Sequence, residues 1–517
     1  MLWTWTVPAG HRRRCTSAVL AACALAAAAG CSGPAGGNRP PGISLAAITR
    51  PPQAATSILA GAPSVVAAAA ARQLFASAPV VVAADGARRS DLTAAAARAV
   101  QVHAPVLLIS PRRSGGRTGS GLVAAGLRRA VRALGARAVL DVGLPRTLLT
   151  ADLPGVQVVG AVAALPHRRA PAPLPGVVML VHQAENSSGT LAAAATARAA
   201  GADVISVAGF DPRADPAAIA AIAAVRPRHV LAVGAKFGPA SRLAERIAVA
   251  ATGVQLPGGG QVLFPMHRLL ALYGYPGSPV LGALGEQDLP ASIQRIRAIA
   301  AQYRPLSRVP VVPAFEIIAT VAQASPGRDG SYSYESPVSL LRPWVERASA
   351  AGMYVVLDLQ PGRASLLAQA KRYRSLLLRP NVGLALDAEW KLQPGQLPLQ
   401  QIGSVRIGEV NSVVRWLAAL TGRYRLPQKL LVLHQFRISM IGDERALDTS
   451  HDDLAIVIHM DGQGAPGDKL QTWHAVVANA PAGVYFGWKN FLVKDHPTFT
   501  PGQTMANRPQ PVMISYQ

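Results

Sequence analysis

The chain has 517 residues, which exceeds the length of one ordinary domain and indicates two or three. Half of the residues are hydrophobic, so sizeable cores can form, and the three cysteines lie at positions 15, 23 and 31. This placement excludes a disulfide scaffold or a thiolate metal site in the rest of the chain. The net charge of +24 favours anionic lipid headgroups or phosphate-rich wall polymers as partners, or reflects arginine spread over the whole surface. No nucleic-acid-binding motif is present, so we expect no nucleic-acid partner.

The first 31 residues have the pattern of a signal peptide. The basic segment His11–Arg14 precedes an apolar run, Cys15–Ala29, that is too short to span a bilayer as a helix. The small residues of Ala28–Cys31 resemble a lipobox, in which the cysteine is lipidated and becomes the mature N-terminus. We therefore predict export and a lipid anchor at Cys31 on the outer face of a bacterial membrane. Cleavage before Cys23, an unlipidated secretory signal and a cytoplasmic protein remain alternatives.

The next two segments are predicted to be a tether and an α/β region. Residues 32–57 are rich in Pro, Gly, Ala and Ser, which is typical of a linker. Residues 58–254 alternate short apolar runs with Ala-rich helical stretches, which predicts parallel, Rossmann-like α/β layers with a hint of internal duplication. The expected strands are Val80–Ala84, Pro105–Ser110, Ala138–Val142, Val156–Val162, Val177–His182, Asp203–Ala208 and His229–Val233.

Part of this region resembles the cell wall-binding repeat 2 family. The resemblance lies in Val80–Gly86, in Asp91 within an Ala-rich helix, in Ala104–Ser110 and in Leu134–Gly143. It covers roughly residues 60–150, extending toward 250. It implies non-covalent attachment to a cell-wall polysaccharide or to peptidoglycan, whereas a generic α/β domain of another role is the alternative. The glycines near Gly119 do not follow a strand directly, so we predict no dinucleotide cofactor and no other cofactor.

Residues 251–262 read as a linker, and residues 262–517 predict a (β/α)8 barrel of the TIM type. Helical patterns separate several of the expected strands, at Ala291–Tyr303, Val338–Ala351, Ala364–Leu378, Val410–Thr421 and Lys469–Ala478. The expected strands are Arg268–Tyr273, Val309–Glu316, Met353–Asp358, Val382–Glu389, Lys429–Gln435, Leu454–Asp461, Gly483–Lys489 and Pro511–Tyr516.

Seven of these eight runs end in polar groups. The carboxyl ends of the strands of such a barrel converge on one mouth, where its active sites lie, so we expect these groups to meet there. The polar strand ends are Glu316, Asp358, Asp387 with Glu389, His434 with Gln435, Asp461, Trp488 with Lys489, and Tyr516 with Gln517.

The end of the fourth strand carries the most specific local motif. Asp387 and Glu389 are two residues apart, so both carboxylates are expected to face the barrel axis. Neighbouring carboxylates raise each other's pKa, which keeps one protonated as a general acid for glycoside hydrolysis. The aromatic rings of Tyr273, Trp390 and Trp488 are candidates for stacking on sugars.

This D-x-E-W ending resembles the fourth strand of the family 18 chitinase and family 25 muramidase barrels. By that resemblance Glu389 is the acid and Asp387 its partner. The full set of predicted catalytic residues is Glu389, Asp387, Asp358 and Glu316. The predicted substrate-binding residues are Tyr273, Trp390, His434, Gln435, Asp461, Trp488 and Lys489.

Several alternatives remain open for the barrel. Asp358 and Asp461 also suit helix N-caps, and His434 also suits a satisfied core histidine. A metal site built from His434, Asp461, Glu316 and Asp358 is a further possibility, but the expected His-x-His pair near the first strand is missing, so we predict no metal. The leading hypothesis is a lipid-anchored envelope protein that binds wall polymer and recognises or hydrolyses a glycan. The alternative is a non-catalytic glycan-binding or scaffold lipoprotein.

Overall fold

A computed structural model describes residues 45–109, 113–114, 117–118, 123–165 and 168–517. The predicted signal peptide, Cys31 and the first part of the tether lie outside the described residues, as do the glycines at 119 and 121. The described residues belong to one compact unit. None of the helices in this part of the chain is long and apolar enough to cross a membrane.

The described part of the N-terminal region contains two four-stranded parallel sheets with helices packed against them, and three two-stranded sheets. The strands are almost continuously apolar because helices cover both faces of a parallel sheet, and Val80–Asp85 is buried along its whole length. In spatial order the first sheet is Gln157–Val159, Ala138–Val142, Val80–Asp85 and Val106–Ile109, and the second is Asp203–Val207, Val177–His182, His229–Val233 and Thr56–Leu59.

The two sheets share one strand order. In each sheet one strand lies between the next strand of the chain and the third strand, and a fourth strand pairs with the other edge of the third. In the second sheet that fourth strand, Thr56–Leu59, comes from the beginning of the described chain and pairs with His229–Val233. Residues 56–57 belong to the stretch assigned to the tether, and so do the short strands Leu45–Ala46 and Ile48–Thr49, so the structure corrects this part of the prediction. The reason is tertiary, since the strand pairs with residues about 170 positions later in the chain.

Seven α-helices of the described residues surround these sheets. Ser188–Ala199 lies at the centre, in contact with both Pro63–Leu74 and Arg89–Val102. Small side chains allow this close approach, and a Cβ added at Gly189 would lie 2.9 Å from Pro63 Cα. Thr196 Oγ1 accepts a hydrogen bond of 3.0 Å from the Val106 amide, which joins the two halves. The helices are Pro63–Leu74, Arg89–Val102, Val123–Ala133, Arg146–Asp152, Ser188–Ala199, Pro216–Val225 and Ala240–Ala250.

The C-terminal region is a closed barrel of eight parallel strands, as predicted. The first strand pairs with both the second and the eighth, which closes the sheet. In chain order the strands are Arg268–Gly274, Val311–Ala322, Tyr354–Leu359, Val382–Asp387, Lys429–Gln435, Leu454–Met460, Tyr485–Asn490 and Met513–Tyr516. The accompanying helices are Leu289–Tyr303, Val338–Ala350, Leu366–Arg372, Arg374–Leu377, Ile407–Arg423, Pro466–Asn479 and Pro501–Ala506.

The barrel interior changes from apolar to polar along the strands. Toward the strand starts it is filled by a cluster that includes Ala271, Ala314, Val356 and Val432. Because side chains alternate, the next inward position lies two residues later on each strand. That position is polar on all eight strands: Tyr273, Glu316, Asp358, Asp387, His434, His459, Lys489 and Ser515. The apolar level seals one end of the barrel, and the polar level forms the floor of the mouth at the other.

Candidate active site

His434 lies at the centre of the polar level. Its Nε2 lies 2.9 Å from Glu316 Oε1 and 3.9 Å from Asp358 Oδ1, and its Nδ1 lies 3.2 Å from Asp461 Oδ2. Burial works against a charged ring, but Glu316 and Asp461 outweigh it and hold the pKa of His434 well above its usual range. The ring is therefore an imidazolium enclosed by carboxylates, and each nitrogen faces an acid.

The carboxylate of Asp358 faces His434 with one oxygen and the phenol of Tyr273 with the other. Tyr273 donates a 2.9 Å hydrogen bond to Asp358 Oδ2, and Gln360 donates one of 3.2 Å to the Tyr273 hydroxyl. Burial, with a contribution from Glu316, raises the pKa of Asp358 to about 6. Lys489 Nζ lies 3.6 Å from the centroid of the Tyr273 ring, a cation–π contact with a buried lysine.

A second histidine stacks on the first. The rings of His434 and His459 are 5.3 Å apart at an angle of 19°, and His459 Nε2 lies 2.9 Å from Ser515 Oγ. Burial and the positive charges of His434 and Lys489 lower the pKa of His459 well below its usual range. One ring of the stack is therefore charged and the other neutral, because two adjacent buried cations would repel each other.

Three carboxylates border the open space above this floor. Asp387, Glu389 and Asp461 line one cleft of about 310 Å³, together with Lys489. Burial raises the pKa of Asp387 well above its usual range, and burial with the charge of Asp461 raises that of Glu389. For Asp461 the effect of burial is outweighed by its contact with His434, and its pKa is lowered. The cleft thus combines a carboxylate whose pKa is lowered with two whose pKa is raised.

Glu389 also borders a second cleft of about 380 Å³. The two clefts share Ala322, Glu389 and Trp390 as lining residues. Glu389 lies in the short helical turn Ala388–Trp390 that follows the fourth strand, and Asp387 accepts a 3.3 Å hydrogen bond from its amide. Unlike the buried acids of the floor, Glu389 is partly exposed, and it lies where the two clefts meet.

The structure brings most of the predicted site residues together but places two elsewhere. Gln435 points out of the barrel and donates a 3.0 Å hydrogen bond to Glu444 Oε2. Trp488 is fully buried against Trp473 and Phe499 outside the barrel wall. Both residues neighbour an inward-facing residue on the same strand, so the alternation of side chains turns them outward. They are not part of the mouth.

Sequence reasoning missed other members of the site. Gln360 and Ser515 hydrogen-bond to Tyr273 and His459, and His459 itself carried only a weak signal, two residues before Asp461. Counting two residues onward from the last inward apolar position of each strand identifies His459 and Ser515. Tyr516 turns outward to the Tyr303 hydroxyl, at 2.6 Å, whereas Gln517 lines the first cleft.

The four residues suggested as metal ligands do lie together, and His434 is at their centre with the three acids around it. Within the described ranges, no group of three or more His, Cys, Asp or Glu residues is arranged to hold a metal ion. Both nitrogens of His434 face carboxylates, so the imidazolium occupies the centre of the group.

Comparison with known proteins identifies no relative of this chain. No family model, curated protein or solved structure matches the chain. The resemblances to the cell wall-binding repeats and to glycoside hydrolases therefore gain no support from a family match. The closed eight-stranded parallel barrel is the part of that interpretation that the structure shows.

Proposed function

We propose that the barrel hydrolyses a glycosidic bond and that Glu389 is the general acid. The observation that carries this proposal is the position of Glu389, a partly exposed carboxylate at the junction of two clefts with its pKa raised by burial and by Asp461. A general acid must be protonated near neutral pH and must reach the leaving oxygen. The surroundings of Glu389 shift its pKa toward the first condition, and its partial exposure suits the second.

The ionised partner in this proposal is Asp461. It lines the same cleft as Glu389, and His434 holds its pKa below the usual range. Glycoside hydrolysis needs one protonated and one ionised carboxyl group, and environments that push two pKa values apart mark that pair. Asp387 was the partner implied by the sequence motif, but its pKa is raised well above the usual range. Its role in the proposal is to orient Glu389 through the backbone hydrogen bond.

Trp390 supplies the remaining feature of a sugar site. It lines both clefts next to Glu389, so its indole is available at the point where the bond would be cleaved. Sugars present C–H faces that stack on aromatic rings, and a few convergent polar groups then fix their orientation. Lys489 and Gln463 line the first cleft and supply such groups.

The direct test is Glu389→Gln and Asp461→Asn, assayed by reducing-end release from peptidoglycan, arabinogalactan-type and α-glucan substrates. Each amide keeps the shape of its carboxyl group but can neither donate the proton nor carry the negative charge. We expect each variant to lose about 10²–10⁴-fold in rate, the usual worth of a positioned acid or base. Glu346→Gln is the matched control, because that glutamate is exposed on the helix Val338–Ala350 and pairs with Arg379.

The results separate catalysis from binding. If wild type releases nothing from any of these substrates yet binds one tightly, the barrel is a glycan-binding module, as in the alternative interpretation. If Glu389→Gln lowers the melting temperature as much as the rate, the glutamate is structural. An unchanged rate for Asp461→Asn would remove Asp461 from the mechanism while leaving Glu389 in place.

We further propose that this barrel works at the bacterial envelope, anchored through Cys31 and attached to wall polymer through the N-terminal region. The support is the signal-like N-terminus, the positions of the three cysteines and the net charge of +24. Cys31→Ser should release the protein from the membrane fraction, with Cys23→Ser as the matched control. Protein released in this way should still sediment with purified walls and dissociate in salt, because screening weakens attraction between exposed charges. Unchanged membrane retention would contradict the anchor, and recovery from the walls in the supernatant at low salt would contradict the attachment.

A further inference from the structure

The two clefts at the barrel mouth adjoin at Glu389, which lines both. Each has a volume within the range of about 300–1,000 Å³ typical of small-molecule sites, so each can hold its own part of a ligand. Their shared lining, which includes Glu389 and Trp390, places the proposed acid between them. We infer that the two clefts form one groove, that this groove binds an extended glycan chain on both sides of Glu389, and that an internal bond is the one presented for cleavage. This inference rests on the proposed function for its chemistry, but the binding it describes does not need turnover.

Exposed aliphatic side chains lie on the loops beside both clefts. Among the large hydrophobic residues that the structure describes, Val280, Leu399 and Val493 are the most exposed, at 88, 81 and 77%. Val280 lines the first cleft, Leu399 lines the second, and Val493 precedes Lys494, which lines the first. Apolar side chains concentrated around one opening indicate a surface that a ligand covers. A glycan chain that extends beyond Glu389 in both directions would cover them with its C–H faces.

The charges of the groove agree with this arrangement. The lining acids lie in the first cleft and at its junction with the second, at Asp387, Asp461 and Glu389. The other charged lining residues are cations, Lys489 and Lys494 in the first cleft and Arg437 in the second. Glutamine amides at Gln400, Gln401 and Gln463 add donors and acceptors suited to hydroxyl groups. Both clefts therefore offer cations and amides to hydroxyl-rich or anionic sugars, and Glu389 is the one carboxylate among the described lining residues of the second cleft.

The test measures binding by the Glu389→Gln protein, which holds ligand without cleaving it. Oligosaccharides of increasing length, prepared from peptidoglycan strands, arabinogalactan and α-glucan, are titrated by calorimetry. Affinity for the class that binds should rise with length and level off only when both clefts are occupied. Adding Leu399→Ser or Val280→Ser should weaken long oligosaccharides about three- to tenfold and leave the shortest that binds less affected, because each change removes apolar contact at one end. Both residues are exposed, so the fold should tolerate serine.

A second measurement examines where the wild-type protein cuts. Internal cleavage shortens polymer chains well before small sugars accumulate, so the mean chain length should fall early in the reaction. Release of single sugars from chain ends at constant polymer length would overturn the inference. Affinity that is already maximal for the shortest oligosaccharide, or that both serine variants leave unchanged, would do the same.

A lipid surface is the main competing occupant of the exposed aliphatic residues, and flotation with vesicles containing phosphatidylglycerol tests it. If Leu399→Ser and Val280→Ser abolish flotation but leave oligosaccharide binding unchanged, these residues contact lipid and the inference is wrong. If no polymer is hydrolysed yet binding depends on length and on both residues, the proposed catalysis fails while the extended groove stands. The two failures are therefore distinguishable.

Discussion

At the scale of single residues, the buried ring of His434 shifts the pKa values of its neighbours at the barrel mouth. His434 has both ring nitrogens near carboxylate oxygens, and its charge keeps Asp461 ionised while adjacent His459 stays neutral. An isolated buried cation would be costly, but a cation enclosed by acids is compensated. The surrounding carboxylates thus stabilise the protonated form of His434.

We expect His434 to remain protonated well above its ordinary pKa of 6.5, and His459 to remain neutral well below it. Ring nitrogen chemical shifts, followed by NMR across pH, measure both residues in one sample, so each serves as the control for the other. Three histidines that the structure describes are buried, His267, His434 and His459, so the buried ring signal that both His459→Gln and His267→Gln retain belongs to His434. Titration of His434 at or below pH 6.5 would contradict the proposed ion cage.

The same shift makes a prediction for stability. The folded state of His434 has the higher pKa, so between pH 6.5 and that raised value the unfolded chain has lost a proton that the folded chain keeps. The contribution of His434 to the free energy of unfolding should therefore be complete below pH 6.5 and should be lost as pH rises through the folded pKa. Asp358 acts in the same direction at lower pH, because stability falls as pH rises from 3.8 toward its folded pKa of about 6. Urea unfolding at a series of pH values measures the slope.

At the scale of elements, the edge strand Thr56–Leu59 completes the second N-terminal sheet. It pairs along its length with His229–Val233, Leu59 is buried, and the amides of Val230 and Gly234 donate to Ala55 and Leu59 carbonyls. The strand supplies the position that Gln157–Val159 fills in the first sheet. The two halves of the region therefore share a strand order although one strand comes from the other end of the segment.

A chain that begins at residue 60 should be less stable than one that begins at residue 45. Removal of the strand deletes buried Leu59 and leaves an unpaired sheet edge, and loss of a buried leucine side chain alone costs about 2–5 kcal/mol. Thermal and urea unfolding of the two chains measure the difference, and the chain from residue 45 is the control for removal of the N-terminus. Equal stabilities would show that the strand contributes little to the fold.

At the scale of the whole molecule, an ion-pair network joins the N-terminal region to the barrel. Asp452, which precedes the sixth barrel strand, lies 2.6 Å from Arg213 and 2.8 Å from Arg246, and Asp211 also pairs with both arginines. The intervening chain is not a loose linker, because Gln261 is buried and donates hydrogen bonds to the Val249 and Val254 carbonyls. These contacts lie at the closed end of the barrel, opposite the mouth.

Asp452→Asn should weaken this attachment. Arg213 is buried and would lose one of its two carboxylate partners, for which we expect a loss of about 1–3 kcal/mol in the free energy of unfolding. The proposed catalysis and glycan binding should change little, because the mutation lies far along the strands from the mouth. Asp203→Asn, an exposed aspartate at the start of another strand, is the control. A stability equal to wild type would mean that solvent screening had removed most of the contribution of the pairs.

The sequence by itself determined the eight barrel strands, the α/β character of the first half and most of the mouth. Strands buried on both faces must be apolar runs, and a polar residue that ends such a run is conspicuous, which is why Glu316, Asp358, Asp387 and His434 could be found. Only the tertiary structure decided which neighbour on a strand faces inward. Closure of the barrel turned Gln435 and Trp488 outward and brought His459 and Ser515 into the site.

The tertiary structure also decided how the site residues pair. Asp461 lies beside His434 of the neighbouring strand, which is why the proposal makes it the ionised partner. The strand at residues 56–59 pairs with a strand from the far end of the same region. Local patterns record how a residue fits its own strand or helix. Pairing across strands depends on register, closure and burial, and these are properties of the folded chain that no short stretch of sequence contains.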